Sequence, residues 1–126
     1  RRAIDDIMTR LRNIVEETGV GLILVSHLRR VDGNKGHENG IEVSLSHLRG
    51  SHSIGQLSDV CCSLERNQQS DDPDESNTTT VRVLKSRYTG DVGIACRLLY
   101  DRETGRLNEV PLESFEFEEN ANELSI

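Results

Sequence analysis

Four histidines and a scatter of arginines are the residues of this chain whose types and spacing point to chemistry. His27, His37, His47 and His52 fall within 26 residues, and nine-residue gaps separate the first three. That spacing matches no usual metal-ligand pattern, and no cysteine lies nearby to complete one. The expectation is therefore loop histidines and no metal site, with only His27 positioned by a strand end. Gly50-Ser51-His52-Ser53-Ile54-Gly55 has the glycine spacing of a phosphate-binding loop, but Gln56 and Leu57 stand where such a loop needs Lys and Ser or Thr. Without the Lys charge and the hydroxyl for Mg²⁺ it is not a phosphate loop. An apolar strand ending in a metal-holding Asp is missing too, so this stretch carries no nucleotide site of its own.

The bases read differently. Arg29, Arg30 and Lys35 sit among Gly and Asn breakers, and Arg49 precedes Gly50 in a Gly/Ser-rich stretch suited to close backbone approach. Such bases suit contacts to phosphates; a solvated loop explains the same bases and is the reading that spacing alone favours. Arg87 follows a strand pattern and precedes a tight turn, with no local acid. An Arg projecting from a sheet edge in this way suits reaching into a neighbouring subunit's phosphate site.

The elements that must position these residues follow from periodicity. Ile4, Ile7, Met8, Leu11, Ile14 and Val15 recur at helical spacing, with Gly19 as the stop. Gly21-Leu22-Ile23-Leu24-Val25 is a continuous apolar run, which predicts a strand buried on both faces. Helix followed by such a strand is the unit of a parallel α/β sheet. The run ends at Ser26-His27, and ligands of open α/β sheets gather at carboxyl ends of strands. Residues 28–43 read as an exposed, mobile loop, and Ser44 or Ser46 as the cap of a short helix around 46–57. Val60 to Leu64 predicts a second buried strand with Cys61 and Cys62 on opposite faces. Residues 67–79 read as a solvated loop. Thr79 to Leu84 and Ile94 to Tyr100 predict strands joined through Thr89-Gly90-Asp91, and Glu103-Thr104-Gly105 a second turn into Leu107–Val110. The result is an α/β domain, residues 1–110, whose mixed sheet ends in antiparallel hairpins. An acidic, disordered tail over 111–126 follows. One helix cannot cover both faces of such a sheet, so an incomplete domain is expected.

Composition narrows the classes. The 126 residues carry 15 Lys and Arg against 22 Asp and Glu, a net charge of −7. Ten of those acids lie in two clusters: Asp71, Asp72, Asp74 and Glu75, then Glu109, Glu113, Glu116, Glu118, Glu119 and Glu123. Removing them leaves 12 acids against 15 bases, a body able to meet phosphates. Aromatics make up 3% and Trp is absent, so any core is aliphatic. No apolar run approaches the ~20 residues of a membrane span. Three cysteines, two of them adjacent, make a poor disulfide framework and suit a reducing cytoplasm. The chain opens Arg1-Arg2 without Met or a signal-like segment, so a piece of a longer cytoplasmic protein is expected.

Several stretches together resemble the carboxy-terminal half of the helicase domain of phage primase-helicases, the Twinkle-like ring helicases. They are Val25-Ser26-His27-Leu28, Leu48-Arg49-Gly50-Ser51, Gln56-Leu57-Ser58-Asp59, Leu64-Glu65-Arg66-Asn67-Gln68-Gln69, Lys85-Ser86-Arg87-Tyr88-Thr89-Gly90-Asp91 and Glu103-Thr104-Gly105. They run in family order with similar gaps across residues 1–110. The resemblance implies a RecA-like P-loop NTPase core and a homo-hexameric ring. It also implies nucleoside triphosphate hydrolysis at subunit interfaces during 5′–3′ movement along single-stranded DNA, in the cytoplasm of an infected bacterium. Mg²⁺ with ATP or a dNTP is the implied cofactor set, held mostly by residues outside this stretch, so the stretch alone is expected to be inactive.

The resemblance also implies roles. His27 matches the γ-phosphate sensor, Gln56 a residue linking that phosphate to DNA contacts, and Arg87 the arginine finger supplied in trans. Arg66 matches a second interface arginine near the phosphates, and Tyr100 the aromatic that packs on the base. Arg29, Arg30 and Lys35 match a DNA-contacting loop, and Arg49 and Gly50 a second DNA-facing element. Gly55 stands where the best-known member has Arg, and the acidic loop at 70–77 is longer than in that member. The tail resembles an acidic terminus that docks a replicative DNA polymerase. It ends in Ile126 instead of an aromatic, leaving Phe115 and Phe117 as the aromatic candidates. The alternative is a non-enzymatic remnant or module that binds single-stranded DNA or replisome proteins.

Overall fold

The computed structural model describes residues 2–28, 42–47 and 52–111. Helix α1 (Arg2–Thr18) forms where the apolar spacing predicts it. It stops at Gly19, which takes φ +71° and donates its N–H to the Val15 carbonyl at 2.9 Å. A side chain would strain that left-handed conformation, so glycine is the natural terminator. A 3₁₀ turn (Leu45–His47) and a short helix α2 (Ser53–Leu57) stand where one helix over 46–57 is predicted. The Ser44 and Ser46 hydroxyls pair with each other at 2.8 Å, and α2 starts without a side-chain cap. α1 packs against α2, burying Met8 and Ile54.

Four strands follow: β1 (Val60–Arg66), β2 (Thr78–Ser86), β3 (Gly93–Tyr100) and β4 (Leu107–Val110). They lie side by side in chain order, every pairing antiparallel. The mixed sheet predicted from sequence is therefore corrected: the described strands form a meander joined by short connections, and none is parallel. Both predicted turns are present. Gly90 and Gly105 take φ +75° and +73°, and the Gly105 N–H bonds the Asp101 carbonyl at 2.7 Å.

The buried strand predicted at residues 21–25 is also corrected. Ile23 is 95% and Val25 88% exposed, and the segment pairs with none of the four strands. A strand exists through backbone bonds to a neighbour, and the described strands supply none. Residues 20–28 instead border an open cleft of about 1030 Å³, faced by α1, α2 and β1.

β1 departs from prediction in its burial. Ser63 and Glu65 are the buried side chains, while Val60, Cys62 and Leu64 are exposed. Cys61 is half-buried and Cys62 exposed, and both border the cleft. The apolar face of β1 lines the cleft. On the other face Glu65 tolerates burial because it is fully engaged. Arg82 Nε donates to its Oε2 at 3.0 Å, and the Val43 N–H donates to its Oε1.

Residues 67–79 are more ordered than a solvated loop. They hold a one-turn helix α3 (Pro73–Ser76), with Asp72 accepting the Asp74 N–H at 3.0 Å and Pro73 in the first turn. Asp-Pro followed by acids is the start signal of a helix. The acidic tail beyond Pro111, with Phe115 and Phe117, lies outside the described residues.

Candidate functional site

The residues predicted to act on nucleotide separate to opposite ends of the sheet. At one end, β1 begins beside the last residues of β2, with Val60 opposite Ser86. At the other, Arg66 faces Thr79, and Thr78 faces Leu99. At ~3.3 Å per residue the seven residues of β1 set the two ends roughly 20 Å apart.

The first end gathers Arg87, Gln56, Asp59 and Arg12. Arg87 follows β2, and its N–H bonds the Asp59 carbonyl at 2.8 Å, fixing where its side chain departs. Its Nη1 donates to Asp59 Oδ1 at 2.6 Å and its Nη2 to the Gln56 carbonyl at 3.3 Å. The expectation that Arg87 has no local acid is thus corrected: Asp59, 28 positions earlier, is brought to it by the β1–β2 pairing. Lys85 Nζ donates to the carbonyls of Gly55 and Gln56 at 2.8 and 3.1 Å, so the end of β2 grips the end of α2. Arg12, from the middle of α1, donates through Nη1 to Asp59 Oδ2 at 2.9 Å and through Nε to Glu16 at 3.0 Å.

Asp59 therefore accepts one arginine on each oxygen. The Arg12 hydrogen bond holds its carboxyl below the usual Asp value of 3.8, against the opposing effect of desolvation. The charges of Arg12 and Arg87 and the Tyr88 hydroxyl add to the shift. The same bonds, to Asp59 first and then Glu16, raise the affinity of Arg12 for its proton. His27 is exposed and lines the cleft with Asp59 and Tyr88. The structure thus brings Gln56 and Arg87 together at Asp59, and His27 borders the same cleft as Asp59.

Arg66 and Tyr100 belong to the second end. Arg66 Nε donates to the Ser76 carbonyl at 2.6 Å, and the Tyr100 N–H to the Asn77 carbonyl at 3.0 Å. Both thus rest on the chain leaving α3, with the Tyr100 ring 39% exposed. Next to it the Asp101 carboxyl is held low, first by the Glu103 N–H and then by the Thr104 hydroxyl. Arg29, Arg30, Lys35, Arg49 and Gly50 lie outside the described residues. Glu42 and Val43, however, are anchored to the sheet: Arg82 Nη1 reaches Glu42 at 3.3 Å, and Val43 is 2% exposed.

Sequence reasoning missed Arg12, and treated Asp59, Lys85 and the buried Glu65 only as parts of motifs. Asp59 carried a signal, an acid directly before an apolar strand. Arg12 carried one too, as a base bordering the Met8–Val15 stripe. Among the described residues no three His, Cys, Asp or Glu side chains converge as a metal site. None of the described helices is long and apolar enough to cross a membrane.

Comparison with known proteins places this α/β chain. It belongs to the DnaB-like helicase C-terminal domain family, whose model matches residues 1–109. Over 107 residues it is 49% identical to the DNA helicase/primase of Enterobacteria phage T3, a match covering 85% of this chain. That match takes in 18% of the phage protein, so the chain spans under a fifth of its relative's length.

Proposed function

We propose that this chain is the sensor and arginine-finger portion of a 5′–3′ replicative DNA helicase. The helicase works as a homo-hexameric ring, hydrolysing ATP or a dNTP as it moves along single-stranded DNA. The observation that carries this reading is the placement of Arg87. Its guanidinium sits just beyond a strand end, 44% exposed, with one edge bonded to Asp59 and the Gln56 carbonyl. Its Nε carries no bond among the described residues. A planar fork held on one side and open on the other suits bidentate contact to a phosphate supplied by a neighbouring copy.

The roughly 20 Å between the Arg87 and Tyr100 ends of the sheet suits action in trans, with each end facing a different nucleotide. In this reading Tyr100 stacks on the base, Arg66 keeps that end near the phosphates, and His27 and Gln56 read the γ-phosphate. Arg29, Arg30, Lys35, Arg49 and Gly50 contact the DNA backbone, and the acidic tail docks a replicative polymerase. The described residues supply neither the phosphate-loop Lys nor a carboxylate set for Mg²⁺, so they do not fit the metal. The nucleotide-bound metal is held by other parts of the parent protein.

Replacing Arg87 by Ala in the full-length protein tests this. DNA-stimulated hydrolysis should fall by a factor on the order of 10³, the scale of a lost arginine finger, with nucleotide binding near normal. Unchanged turnover would remove Arg87 from the reaction and favour a DNA- or replisome-binding module.

A further inference from the structure

We infer that Asp59 is a positioning residue for Arg87: it holds the guanidinium in the orientation that reaches the neighbouring phosphate, and Arg12 from α1 holds Asp59 in turn. The inference rests on the reading of Arg87 given above. Three observations carry it.

First, the carboxylate is divided. Oδ1 takes Arg87 at 2.6 Å and Oδ2 takes Arg12 at 2.9 Å, so neither arginine displaces the other. The backbone repeats the link, since the Asp59 carbonyl accepts the Arg87 N–H. Asp59 thus fixes both the root and the tip of the same side chain.

Second, the bonds fall on one edge of the guanidinium. Asp59 and the Gln56 carbonyl occupy one hydrogen on each Nη, leaving Nε and the remaining Nη hydrogens open. Part of the rotamer entropy an unrestrained arginine carries is thus already lost before any phosphate arrives.

Third, the ion pairs are too exposed to be there for stability. Side-chain exposures are 44% for Arg87, 29% for Asp59 and 24% for Arg12, and partly exposed pairs of this kind contribute little to folding. Orientation is the role left to them. Arg12 belongs to a helix that borders the cleft holding His27, so one carboxylate links that helix to Arg87.

The test uses the full-length protein with Asp59→Asn and Asp59→Glu, each alone and combined with Arg87→Ala. Asp59→Asn keeps the shape and removes the charge; Asp59→Glu keeps the charge and pushes the guanidinium outward by one methylene. Both should lower kcat for DNA-stimulated hydrolysis by up to about 10²-fold, the scale of a roughly 1 Å misplacement, with nucleotide KM within about twofold of the parent. On the Arg87→Ala background neither should lower kcat further, because the group being positioned is gone. Additive losses would mean a structural role and would overturn the inference, as would an Asp59→Glu protein matching the parent in kcat. Should Arg87→Ala itself leave turnover unchanged, the helicase reading of Arg87 fails instead, so the two failures are told apart.

Discussion

The two ends of the sheet are held by different kinds of interaction. Around Arg87 the bonds are ion pairs between residues far apart in sequence: Arg12 to Asp59 across 47 positions, and Asp59 to Arg87 across 28. Around Tyr100 they largely involve backbone: the Tyr100 N–H on the Asn77 carbonyl, the Asp72 cap, the Asn77 side chain on the Pro73 carbonyl at 2.8 Å, and the turn closed by the Asp101 carbonyl. Partly exposed ion pairs hold the Arg87 guanidinium while leaving part of it open to a further partner, whereas a capped turn offers one conformation. In the proposed reading the first end holds a group ready for a neighbour's phosphate and the second is a fixed platform. A motor that passes a signal from nucleotide to neighbour needs both.

That contrast can be broken by substitution. Arg87→Ala, with its loss on the order of 10³ in turnover, carries the largest expected effect. Tyr100→Ala should act at binding: nucleotide KM should rise roughly tenfold, the scale of one lost base-stacking contact, with kcat little changed. Steady-state kinetics separate the two, and a Tyr100→Ala protein that loses kcat at unchanged KM would contradict the platform role. Asp72→Ala should loosen the fixed end by about 1 kcal/mol, the usual value of an N-cap, seen as faster amide exchange at Asp74 and along residues 76–78. Amides of residues 85–87 should be untouched by that change, and equal loosening at both ends would erase the distinction. Arg29→Ala should lower the salt slope of single-stranded DNA binding by roughly 0.7 of a unit.

Acid distinguishes the ends least. The Asp59 carboxyl is depressed in the folded chain, first by the Arg12 hydrogen bond, so its contribution is fully present above the ordinary value of 3.8. It is lost as pH falls through the lower folded value. Asp101, held low by the Glu103 N–H and then the Thr104 hydroxyl, follows the same sign. Chemical shifts of both carboxyls should therefore stay constant from neutral pH down to that range. Titration of Asp59 above 3.8 would contradict the shared ion pair.

Legibility in the sequence followed the range of the interactions. α1, its Gly19 stop, both glycine turns and the last three strands were legible, because periodicity and turn chemistry act within a few residues. The run at 21–25 was misread because apolarity reports a demand for burial, not the neighbour that meets it. β1 itself was legible as a strand, but its burial was not: Glu65 is buried by Arg82 and Val43, partners that spacing does not reveal. Resemblance named Arg87, Gln56, Arg66 and Tyr100 individually. That the first two share an end with Asp59 and Arg12 while the others stand about 20 Å away emerges only from strand register.

The central claim is that the two ends serve different nucleotides, Tyr100 its own chain's and Arg87 its neighbour's. Mixing full-length Arg87→Ala and Tyr100→Ala subunits and measuring DNA-stimulated hydrolysis at limiting nucleotide tests it directly. Action in trans creates interfaces where an intact Arg87 meets an intact Tyr100, so mixed rings should exceed the average of the two separate proteins. Turnover equal to that average would place both residues on one nucleotide and contradict the account.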